Sequence, residues 1–131
     1  MSDIPRVFRE GSLHQMAELL VNPARSGLYL TRGRIRRIAR EMGLRPGVQG
    51  RARMLENLFR EAGLEGRAVE FLERLDGEAA AMIERCRGWS RACPPAKGAW
   101  REWIARAREL RRHLREAKRA ARRLQSSSPP G

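Results

Sequence analysis

Trp103 to Leu124 reads WIARARELRRHLREAKRAARRL, and its apolar positions decide the fold. Trp103, Ala107, Leu110, Leu114, Ala117, Ala121 and Leu124 recur at steps of 4, 3, 4, 3, 4 and 3. That is the heptad seam of a helix lying along another helix. Ala107, Leu114 and Ala121 take the a positions; Trp103, Leu110, Ala117 and Leu124 take d. The flanking e and g positions include Arg106, Arg111, His113 and Lys118, basic on both sides. A homodimer through this seam would set like charge against like and is disfavoured. An acidic helix suits it better.

The same chain supplies one. Residues 64–84 carry six acidic and two basic side chains. Glu65, Glu70, Glu73, Asp76, Glu78 and Glu84 are placed to flank the seam in an antiparallel hairpin. Each exposed ion pair contributes only about 0–1 kcal/mol, so the pattern selects the pairing more than it strengthens it. Beyond the hairpin the seam thins to alanine, and Arg112, Arg115, Arg119, Arg122 and Arg123 crowd the final turns. That end is expected to project into solvent, with positive charge near a helix C-terminus also favoured by the helix dipole.

Working outward, the rest of the chain is helical in pattern. Residues 1–11 read as a loose N-terminal lead. Ser12 with Gln15 fits a capping box, followed by Leu13, Met16, Ala17, Leu19 and Leu20 at helical spacing. Asn22-Pro23 ends that helix, and residues 24–30 form a connector in which Gly27 allows an unusual backbone angle. Thr31 is the next N-cap. Ile35, Ile38, Ala39 and Met42 share one helical face, and Gly43 is its stop. A further helix runs from about 51 to 62, with Met54, Leu55, Leu58 and Phe59 inward. The acidic helix spans 65–89, and Asp76-Gly77 is a candidate kink or break within it. The basic helix spans 99–124, and the polar, Pro-rich tail 125–131 is expected to be disordered. The fold class is therefore all-α: a single helical domain over 12–124, a compact bundle of about five helices with a long basic C-terminal helix and a helical hairpin at 30–63. No segment alternates with period two long enough to suggest a strand.

The chain has 131 residues and a formal net charge of +13, which points to an anionic partner. Of its 28 basic residues only Lys97 and Lys118 are lysine. GC-rich coding produces the same skew, so arginine identity is not counted as evidence for bidentate phosphate recognition; the excess of positive charge is. It falls in two blocks. Residues 25–53 hold nine basic and one acidic side chain, and residues 85–131 hold fourteen and three. On the 32–42 helix, Arg36, Arg37 and Arg40 fall away from the apolar face, with Arg34 nearer its edge. Exposed arginine contacts phosphate, which gives affinity without sequence choice and makes binding steeply salt-dependent. Base stacking would need exposed aromatics. Tyr29, Trp89, Trp100 and Trp103 are the candidates, but a tryptophan beside a helical seam is expected in the core.

Residues 30–59 give the order Leu30-Thr31, Ile35, Ile38-Ala39, Gly43-Leu44, Gly50-Arg51, Leu55 and Phe59. This resembles the SAP motif and the related helix-extended-loop-helix at the N-terminus of the Rho transcription terminator. The resemblance covers about a quarter of the chain, and the loop from Gly43 to Gly50 is about two residues longer than in those families. It implies DNA or RNA backbone binding, with Arg51 and Arg53 near the start of the second helix.

Other chemistries find little footing. Cys86 and Cys93 make no disulfide framework, and with His14 and His113 they make no zinc ligand set. There is no glycine-rich phosphate loop and no Glu-x-x-His repeat of di-iron bundles. No enzyme activity, cofactor or metal is expected. No apolar run approaches the ~20 residues that span a bilayer. The apolar face of the basic arm is too slight for a membrane-surface helix. MSDIPRVFREG has no apolar signal core, so the expected location is the cytoplasm. The expected function is non-enzymatic binding of nucleic acid, DNA or RNA, mainly through phosphates. Its contacts are Arg34, Arg36, Arg37, Arg40, Arg51 and Arg53, with Arg112, Arg115, Arg119, Arg122 and Arg123 in the arm. The alternative is a small adaptor or regulator whose basic arm docks an acidic protein.

Overall fold

The computed structural model describes residues 4–127, with side chains described as far as Leu124. Within them the chain is all-α: α1 (Ile4–Glu10), α2 (Leu13–Leu20), α3 (Pro23–Ser26), α4 (Arg32–Met42), α5 (Arg51–Leu64), α6 (Ala68–Ala92) and α7 (Lys97–Ser127). A 3-10 turn, Pro94–Ala96, joins α6 to α7. No described helix is long and apolar enough to cross a membrane.

The helix count is seven against an expected five, and the two additions are the shortest. Residues 1–11 were expected to be loose, yet α1 forms because Ile4 and Val7 are buried where it docks on α2 and α7. Its Phe8 ring lies 5.6 Å from that of His113. Seven residues are too few to hold a helix alone, so tertiary packing supplies what propensity does not. The one-turn α3 arises because Asn22, after ending α2, caps the next turn: its Oδ1 accepts from Ala24 N–H at 3.1 Å, and Pro23 fits the first helical position.

Elsewhere the local signals act as read. Ser12 and Gln15 close a capping box. Thr31 Oγ1 accepts from Arg34 N–H at 3.1 Å. Gly43 stops α4 at φ 68°. Asp76-Gly77 does not divide α6, which runs unbroken for 25 residues. Glycine in a helix costs about 1 kcal/mol, but Leu75 and Ala79 on either side are fully buried and hold the backbone in register. Of the expected tail, residues 125–127 continue α7 and the remainder lies outside the described residues.

The core is built from all seven helices except α3, whose buried residue is Ser26. Leu19, Leu20, Ile35, Met54, Leu58 and Leu110 are fully buried. Phe71, at 0% exposure, packs edge-to-face on Phe59 with ring centroids 4.8 Å apart. The helices α6 and α7 form an antiparallel pair. Asp76 meets Arg111 midway along it, and Trp89 packs against Trp100 at its linked end, ring centroids 4.9 Å apart. The seam buries Ala107, Leu110 and Leu114, while Leu124 is 71% exposed.

Candidate nucleic-acid interface

The two arginine blocks differ in how much of their charge the fold has already used. On α4, Arg34 Nη1 donates to Glu78 Oε2 of α6 at 3.1 Å. Arg37 Nε donates to Glu41 Oε1 at 3.0 Å, and Glu41 is held from its other side by Arg74 of α6. Only Arg36 and Arg40 are exposed with no ion pair or hydrogen bond among the described residues. On α5, Arg51 turns inward, its Nη1 donating to Leu30 O at 3.0 Å. It ties the start of α5 to the connector before α4 instead of facing solvent. Arg53, 60% exposed, stands 3.7 Å from Glu56.

On α7 the seam's acidic neighbours are fewer than the six expected. Asp76 binds Arg111 (Nε to Oδ1, 2.8 Å) and stands 3.7 Å from Arg115. Glu73 stands 3.0 Å from Arg122 and 3.9 Å from Lys118, so Arg122 folds back onto α6 instead of projecting. Glu78 turns to α4, Glu65 and Glu70 bind Arg67, and Glu84 binds Arg87. The residues Glu73 and Asp76 thus lie on the α7 flank of α6, with Glu70, Arg74 and Glu78 on its α4 flank. An acidic ridge on α6 stands between Arg37 of α4 and the arginines of α7, while Arg34 and Arg85, one from each basic block, border a common cleft.

What α7 keeps for solvent is a groove of about 300 Å³ lined by Arg108, Arg111, Arg112, Arg115 and Arg119. Arg108, Arg112, Arg115 and Arg119 follow steps of 4, 3 and 4, so they stay on one flank of the helix. They extend over about 16 Å of its axis. Arg108, Arg112 and Arg119, with Arg123 in the next turn, make no ion pair or hydrogen bond among the described residues. The acids of α7 itself, Glu102, Glu109 and Glu116, recur every seven residues on a line that Arg123 continues, and Glu109 and Glu116 border the arginine flank beside Arg108 and Arg112. Sequence reading missed Arg108; its signal was the same heptad walk that marks the apolar seam, displaced to the next flank.

The tryptophans meet the core expectation only in part. Trp89 is 44% exposed, and Trp100 and Trp103 are half-buried, packed against the core and also lining a cleft.

Several carboxylates are tuned by these contacts. The His14 hydrogen bond, and then the charges of Arg53 and Arg60, hold Glu56 below the ordinary glutamate value of 4.5. Arg37 first, then Arg74, do so for Glu41, and Arg67 first, then Arg74, for Glu70. A carboxyl whose folded pKa is depressed contributes stability above its unfolded pKa and loses it as pH falls through the folded one. The melting temperature is thus expected to fall once pH drops below 4.5, and to fall less steeply in Glu56→Gln. Thermal denaturation followed by circular dichroism across that range checks it; an unchanged slope in Glu56→Gln would contradict the assignment. Burial raises the Cys86 thiol against the nearby charge of Arg85, which favours the protonated form over the thiolate. No described group of three or more His, Cys, Asp and Glu side chains is arranged to hold a metal.

Compared with protein-family models, with curated proteins and with solved structures, the chain gives no match. The likeness of residues 30–59 to SAP and Rho N-terminal motifs accordingly rests on the order of its residues.

Proposed function

We propose that this chain is a non-enzymatic nucleic-acid-binding protein of the cytoplasm, with the α7 groove as its principal phosphate contact. The observation that carries this reading is the groove itself. Five guanidiniums line one flank of a single helix, three of them without a counter-ion among the described residues. Like charges held this close repel, and an array of phosphates relieves that repulsion while releasing its own condensed cations. Arg112, Arg119 and Arg123 are the leading contacts, with Arg108 added and Arg115, which shares Asp76 with Arg111, behind them. Arg36 and Arg40 form a second, smaller patch beyond the acidic ridge. Arg34, Arg37, Arg51, Arg53 and Arg122 contribute less, because each already has a partner.

Fluorescence anisotropy of labelled duplex DNA, single-stranded DNA and RNA, titrated over a range of salt, tests the reading. Reversing Arg112, Arg119 and Arg123 to Glu is expected to abolish most binding. Replacing them with Gln should flatten the log–log salt slope by about 2–3 for duplex. Asp76→Asn with Glu73→Gln should act the opposite way, because it frees Arg111, Arg115, Lys118 and Arg122 to meet phosphate. Unchanged affinity in the reversal variant sinks the proposal. An acidic polypeptide that displaces nucleic acid at equal charge concentration would favour the alternative, a basic arm that docks an acidic protein.

A further inference from the structure

All three tryptophans of the chain line one cleft of about 420 Å³, together with Tyr29, Arg34 and Arg85. The volume lies in the range of small-ligand sites. Four separate elements build it: the connector before α4 gives Tyr29, α4 gives Arg34, α6 gives Arg85 and Trp89, and α7 gives Trp100 and Trp103. The rings form a graded wall. Trp89 and Trp100 are 4.9 Å apart and tilted by 39°, and Trp103 follows 6.4 Å beyond Trp100. Tyr29 is 50% exposed and Trp89 44% exposed, so two aromatic faces stay open to a ligand.

One further feature says what that ligand is. The guanidinium of Arg85 rests 3.3 Å from Met82 Sδ, a weak acceptor, and pairs no carboxylate among the described residues, so its charge is available. The cleft therefore offers stacking faces and an unused cation. A purely apolar ligand would use only the first. A planar heterocycle that carries a phosphate uses both.

We propose that the cleft receives an unpaired base of a single-stranded nucleic acid, stacked against Trp89 and Tyr29 with its phosphate at Arg85. This rests on the nucleic-acid reading above and adds to it a preference for unpaired strands. A base within a duplex is already stacked and does not reach the cleft.

Because every tryptophan of the chain lines the cleft, its intrinsic fluorescence reports occupancy without background. The full chain is titrated at fixed salt with an oligothymidine, a duplex of equal length, heparin and thymidine monophosphate, with anisotropy followed in parallel for the two labelled DNAs. The expected result is that both DNAs bind but only the single strand quenches, saturating with the anisotropy curve. Trp89→Leu and Tyr29→Leu, both at positions about half exposed and checked for native helicity by circular dichroism, should each weaken single-strand binding by about fivefold or more. Neither should change duplex affinity. Single-strand binding without quenching, or with unchanged affinity in both variants, overturns the cleft assignment and leaves the phosphate groove standing. Equal quenching by heparin overturns it as well, because no base is then needed. Equal quenching by the mononucleotide at the same concentration overturns the assignment to a strand. If no nucleic acid binds at all, the parent reading fails along with this one.

Discussion

Gly27→Ala is expected to lower the folding free energy by about 3 kcal/mol or more, while Gly43→Ala costs only about 1 kcal/mol. The two glycines have nearly the same backbone, φ 72° and φ 68°, a left-handed conformation that any Cβ disfavours by about 1–2 kcal/mol. Their surroundings separate them. A Cβ on Gly43 meets nothing, whereas one on Gly27 would lie 2.6 Å from Ala107 N and 2.9 Å from Trp103 O. Both neighbours are backbone atoms of α7, so no side chain can swing aside and the helix itself must move. Urea denaturation of the two variants isolates this contact, because the conformational cost is common to both. Equal losses would mean that the connector yields easily and that α7 is not anchored there. Trp103 belongs to the displaced turn, so Gly27→Ala should also alter tryptophan emission in the folded state, and Gly43→Ala should not.

Phe71→Ala is expected to cost about 3–5 kcal/mol, a large fraction of the roughly 5–15 kcal/mol that holds a domain together. Phe71 is among the largest fully buried side chains and joins α6 to α5 through the edge-to-face contact with Phe59. Truncation removes buried apolar surface, the aromatic pair and the filling of the space together. Phe59→Ala loses the same ring contact from a half-buried position and should cost less. Chemical denaturation ranks the two; a smaller loss at Phe71 would show that α5 and α6 close over the space.

How far these features could be read in advance follows a physical division. Caps and stops depend on a few neighbouring residues, and Ser12, Thr31 and Gly43 act as their types require. The α7 seam was legible because seven apolar positions keep one period over three heptads. The short helices were not, because α1 and α3 owe their form to partners distant in sequence. At the candidate site, sequence located the charge but not its pairing. Arg36 and Arg37 look alike on a helical wheel, yet one is exposed without a partner and the other binds Glu41. Arg51 is basic at a helix start, yet it is spent on Leu30 O. The tryptophans were expected inside because a seam position is inside where it faces a full-width partner. Here the linked end of the α6–α7 pair opens over the connector, and the rings line the gap.

The docking of α1 on α7 has a bearing on how the chain matures during synthesis. Ile4 and Val7 leave the ribosome well before the helix that covers them. At about 5–20 residues per second, the hundred or so residues between them take several seconds to emerge. Through that interval α1 has only α2 to lean on, and seven residues do not hold a helix alone. The α6–α7 pair, joined by a short turn, needs no such wait. Docking of α1 on α7 therefore waits until α7 has been made.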